Sequence, residues 1–174
     1  MLSRQEMNRF NGQIAEVEAY FHSERKIHVE YVDVLSALME VLGEPNPETI
    51  CKMQLPTEGL IRALENHEFD AAIILGVIED SAIEVPGSIR RVYAALTKAQ
   101  GSEWEILRND RHPFPSNPCA HNEMEDITLD LSAGGLYHDG EFVHRVRPRE
   151  LLNFRGKIAE KYPAIALPPL APVN

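Results

Sequence analysis

Helices lead and strands follow in this chain. It predicts an α/β or α+β fold: a helical N-terminal part of about four helices, then a small sheet with a β-hairpin and flanking helices. Three observations carry this. Apolar residues recur at spacings of three and four through most of the first 67 residues. At Asp70 the period changes, and AAIILGVI follows as a short, continuous, largely β-branched apolar run. Finally, Asp139-Gly140 sits between two apolar segments, a strong signal for a two-residue hairpin turn.

Ser3 followed by Glu6 has the pattern of a capping box, and Met7, Phe10, Ile14, Val17 and Phe21 then mark one narrow helical stripe. Such a stripe suits an intramolecular bundle, or else a seam with a second chain. A second helix is expected from about His28 to Leu42, capped by Gly43. Asn46 and Pro47 open a third through Ile50 and Met53 to Leu55, and Thr57 is placed to cap a fourth carrying Leu60, Ile61 and Leu64. The AAIILGVI run reads as a central strand covered on both faces. Pro86, Gly87 and Ser88 introduce a helix with Ile89, Val92, Tyr93 and Leu96, and Glu103 to Arg108 alternates as a strand. Ile127 to Leu131 alternates again, Tyr137 to Val146 is the hairpin, and Arg147 and Pro148 start a last helix with Leu151, Phe154 and Ile158. We therefore expect residues 1–67 to form a helical region, 68–164 an α/β region packed with it as one domain, and 165–174 an extended proline-rich tail.

Composition bounds the setting. At 174 residues with 44% hydrophobic and 25% charged residues, the chain can bury a core without staples. No apolar run approaches the roughly 18 residues that span a bilayer, and the first residues lack a signal-peptide pattern, so a cytoplasmic protein is expected. Cys51 and Cys119 are then thiols. The net charge of −10 argues against nucleic acid as a partner. That charge is uneven: residues 142–174 carry six basic side chains against Glu150 and Glu160, a local +4.

The passage HEFDAAIILGVIEDSA resembles the strand and turn of lumazine synthases, where an Asp, an apolar run and Leu-Gly precede an Arg-Gly-Glu-Thr turn and a catalytic His. Here Ile78, Glu79, Asp80 and Ser81 occupy that turn and no His follows nearby, so no activity or site residue is implied.

Two places bear chemistry. In RHPFPSNPCAHNEME, Cys119, His121 and Glu123 are spaced by two, so an extended backbone points them to one side, with His112 within reach across the prolines. Thiolate, imidazole and carboxylate together suit zinc or iron, and the same residues would serve a small metal-dependent enzyme. A Cys119 nucleophile is the weaker alternative, because no cation or helix N-terminus stands beside it. The second place is the basic end, where Arg145, Arg147, Arg149, Arg155 and Lys157 offer contacts to a carboxylate-bearing or phosphate-bearing partner; against this stands docking on the acidic body of the same chain. The sequence best fits a non-catalytic accessory subunit or protein-interaction module. It would bind a protein partner, or a second copy, through the first helix and the basic C-terminal helix.

Overall fold

Ser3 opens the first helix as expected, its hydroxyl accepting the Glu6 N–H at 3.1 Å. In the computed structural model, which describes residues 1–83 and 103–172, the fold is α+β. Contacts divide the chain into two units, Met1–Ala72 and Ile73–Asn174.

In the first unit, α1 (Arg4–Tyr20) runs into a π-helical turn (Phe21–Arg25), followed by β1 (Ile27–His28), α2 (Tyr31–Leu42), α3 (Pro47–Lys52) and α4 (Thr57–Ala63). Phe10, Ile14, Val17 and Phe21 are buried against Val34, Leu38, Ile50, Leu60 and Leu64. Apart from exposed Met7, the α1 stripe therefore packs within its own unit. Two boundaries differ from expectation. His28 lies in β1, and α2 starts at Tyr31 because Asp33 Oδ2 accepts the Glu30 N–H at 2.9 Å, setting the first turn three residues later. In α4, Pro56 rather than Thr57 holds the cap position, since its φ of −68° and ψ of 156° already fit it. Asn46 caps α3 and Gly43 ends α2 with φ +66°, both as read.

The second unit holds β2 (Ala72–Glu79), β3 (Glu103–Arg108), β4 (Cys119–Asn122), β5 (Ile127–Leu129), β6 (Gly135–His138), β7 (Glu141–Arg145) and α5 (Pro148–Lys161). Each strand from β2 to β7 pairs antiparallel with the next, a meander ending at β7. Ile78 is buried in the core beside Trp104, whereas a bulge between Ile74 and Gly76 sets buried Ile74 opposite Leu107 on the other face; Ile73, at 38%, is the exposed apolar residue of the strand. The core joins Ile78, Trp104, Ile106, Ala120, Leu129 and Leu136 from the strands to Leu151, Phe154 and Ile158 of α5, with Trp104 and Phe154 edge to face at 5.4 Å. Beside it, Gly76 lies under the Tyr162 ring, whose hydroxyl accepts the Val77 N–H at 3.0 Å.

Asp139 and Gly140 turn the β6–β7 hairpin with φ of 49° and 80°, and His138 pairs with Glu141. An extra residue at Val143 then shifts the register, so His144 pairs with Leu136 instead of joining the Tyr137 and Phe142 row. The expected helix over Ile89 to Leu96 lies outside the described residues. Among those described, no helix is long and apolar enough to cross a membrane.

Candidate functional site

The proline-rich loop is first of all a stitched structure. Asn117 Oδ1 accepts the Asn109 N–H at 3.0 Å, while the Asn117 amide donates to Asp110 at 2.9 Å. Buried Ser116 donates to the Pro118 carbonyl at 2.8 Å and accepts the Leu131 N–H at 3.0 Å. The peptide bonds preceding Pro115 and Pro118 are cis. Much of the polarity of this loop is spent on holding it to itself and to the turn after β5.

The four residues read as metal ligands separate along this scaffold. His112 is exposed in the loop, its N–H bonded to Asn109. Cys119 opens β4 opposite Leu107 and is buried; burial, then the nearby Asp130 carboxylate, push its thiol up to about 11, which opposes formation of the ligating or nucleophilic thiolate. His121 lies two residues on, as the alternation predicts, but Glu123 falls in the turn after β4, exposed. The carboxylate opposite His121 across the strands is that of buried Glu105.

Register aligns Glu105, His121, Thr128, Tyr137 and Phe142 in one row across five strands. The neighbouring row, Ile106, Ala120, Leu129 and Leu136, faces the core, so alternation turns the first row to the opposite face. Tyr137 is half-buried between Phe114 at 5.0 Å and Phe142 at 5.8 Å, both edge to face. His121 Nδ1 meets Thr128 Oγ1 at 3.1 Å, and its Nε2 lies 3.7 Å from Asp126 Oδ1. Asp126 also meets His138: the carbonyl oxygen is 2.9 Å from Nδ1 and Oδ2 is 3.8 Å away, while His138 Nε2 lies 3.4 Å from Asp139 Oδ2. The Asp126 carbonyl, then the Asp139 carboxylate, raise the His138 pKa above its ordinary value. Among the described residues, Asp126, His138 and Asp139 are the group of three whose candidate ligand atoms all lie within 4.8 Å of one another. Sequence reading missed Asp126 because it sits in an irregular turn at φ +51°. Asp139 was legible only as a turn residue.

The basic cluster divides in two. Arg155 Nη1 donates to the carbonyl oxygens of Leu131 at 2.6 Å and Pro168 at 2.7 Å; Lys157 pairs with buried Asp80 at 3.3 Å; Lys161 donates to the Val77 carbonyl at 2.9 Å. These three hold the second unit together. Arg145, Arg147 and Arg149 are exposed, and none forms an ion pair among the described residues. They do not share one extended edge: Arg145 ends β7, Arg147 occupies the cap position of α5, and Arg149 lies in its first turn. Phe142 and Val143, at 54% and 41% exposure, lie beside them, and Arg145 stands over the Phe142 ring at 5.9 Å.

No family model, no curated protein and no solved structure matches the chain.

Proposed function

We propose that the protein is a non-catalytic, cytoplasmic interaction module, an accessory subunit that binds an acidic segment of a protein partner through the stretch from β7 into α5. The single observation behind this reading is the division of the basic residues. Arg155, Lys157 and Lys161 are consumed by the fold, whereas Arg145, Arg147 and Arg149 stand exposed beside Phe142 and Val143. Guanidinium groups recognise carboxylates through paired N–H donors, and an adjacent aromatic ring gives a partner's apolar side chain a dry contact. Fold stability does not account for the placement of Arg149. A cation in the first turn of a helix opposes the helix dipole. The first helix does not carry this reading, because all of its stripe except Met7 is buried within its own unit.

The test is fluorescence anisotropy with a labelled peptide alternating Glu and Leu, and a peptide of Lys and Leu as control. Saturable binding of the acidic peptide that weakens with salt, and at least tenfold in an Arg145→Glu, Arg149→Glu variant, supports the reading. Binding that ignores both salt and the substitutions, or stronger binding of a single-stranded oligonucleotide, contradicts it.

A further inference from the structure

We propose that Asp126, His138 and Asp139 form a binding site for a divalent transition-metal ion of the zinc class, with His121 as the outer partner that steers Asp126. This goes beyond the interaction reading and does not rest on it. The carboxylate, imidazole and carboxylate atoms lie within 4.8 Å of one another. Ligands about 2.0–2.2 Å from one ion are at most about 4.4 Å apart. At tetrahedral angles that spacing is about 3.3–3.6 Å, so the atoms must close by at most about 1.5 Å, and all three side chains are exposed.

The hydrogen bonding fixes the His138 tautomer, with the Asp126 carboxylate on the Nδ1 side of the ring, its Oδ2 3.8 Å from that nitrogen. A proton on His138 Nδ1, donated to the Asp126 carbonyl at 2.9 Å, leaves the lone pair on Nε2, the atom 3.4 Å from Asp139 Oδ2. A ligating histidine whose other nitrogen is held by a carbonyl is a common metal-site arrangement. On the far side, His121 Nε2 lies 3.7 Å from Asp126 Oδ1 and its ring is fixed by Thr128. The donor set chooses the ion. Two carboxylates balance a double positive charge, the imidazole favours zinc, cobalt or nickel over magnesium and calcium, and three protein ligands leave the remaining positions to water.

Asp126 and Asp139 both have positive φ, a conformation that Asn adopts as readily as Asp, so Asp→Asn at either position removes the charge and leaves the backbone unchanged. The experiment titrates untagged protein with Zn2+ by calorimetry and with Co2+ by visible absorption. One equivalent should bind, and Asp126→Asn, Asp139→Asn and His138→Gln should each weaken binding at least about tenfold, since even outer partners of a metal site contribute that much. A His112→Ala, Cys119→Ala double variant should bind as the parent does. No stoichiometric binding by the parent, or binding lost in the His112 and Cys119 variant while retained in Asp139→Asn, would overturn the proposal. Should His138→Gln fail to fold, the two Asn variants answer the same question.

Discussion

Arg155 donates to the Pro168 carbonyl at 2.7 Å, and the same nitrogen reaches the Leu131 carbonyl at 2.6 Å. One guanidinium thus ties the C-terminal tail to the turn after β5, where the Ala171 N–H also donates to the Ser132 carbonyl at 2.8 Å. The tail is docked, with Ile165 and Leu167 packed on the core.

Removing that tie should be costly. Arg155→Ala leaves two carbonyls without their charged donor, and hydrogen bonds to charged groups contribute about 1.5–3 kcal/mol. We expect a destabilisation in that range in urea unfolding. The Ala171 amide should also exchange with solvent faster than the helical amides of α5; unchanged exchange there would mean that the tail is held by its apolar contacts alone.

Arg149→Glu should separate stability from binding. Replacing a cation by an anion in the first turn of α5 removes an unfavourable dipole interaction and adds a favourable one, each about 0.3–1 kcal/mol at an exposed position. Thermal unfolding should show a small gain in stability in the variant that loses affinity for the acidic peptide. A loss of stability would indicate that Arg149 has a structural role.

Cys119 gives a pH dependence with a definite sign. Its thiol ionises near 9.0 when unfolded and is pushed up to about 11 by burial and Asp130 in the folded protein. The unfolded chain therefore releases a proton first. Below about pH 9 there is no effect, and between about 9 and 11 stability should fall by up to about 1.4 kcal/mol per pH unit. Cys119→Ala should flatten that part of the profile relative to the parent. At neutral pH the native thiol should react with iodoacetamide much more slowly than in urea.

Gly76 tests the seat of Tyr162. A Cβ at Gly76 would lie 2.5 Å from the ring. Gly76→Ala must displace Tyr162 and its bonds to Val77, so we expect about 1–3 kcal/mol of destabilisation by urea unfolding. Restored stability in a Gly76→Ala, Tyr162→Ala pair relative to the single Gly76 variant would identify the ring as the source.

Elements set by local chemistry were legible in the sequence. Ser3, Gly43, Asn46 with Pro47, and Asp139-Gly140 each fix a backbone geometry through their own side chain or its absence, and each stands where it was read. Features set by pairing were not legible. The bulge at Val143 sets His144 opposite Leu136, and Glu105 meets His121 only because β3 returns antiparallel to β4 in that register. Of the candidate metal residues in the loop, Cys119 and His121 stand two apart on β4, but the strand ends at Asn122, before Glu123. The trio of Asp126, His138 and Asp139 brings together a turn after β4 and the β6–β7 turn, 12 residues apart between the bonded Asp126 and His138, a distance no local pattern spans.

The most direct test of the interaction reading is an amide chemical-shift map of isotope-labelled protein titrated with the acidic peptide. The account predicts shifts concentrated from Phe142 to Arg149, absent in the Arg145→Glu, Arg149→Glu variant. Shifts centred on the first unit, or none at saturating peptide, would contradict it.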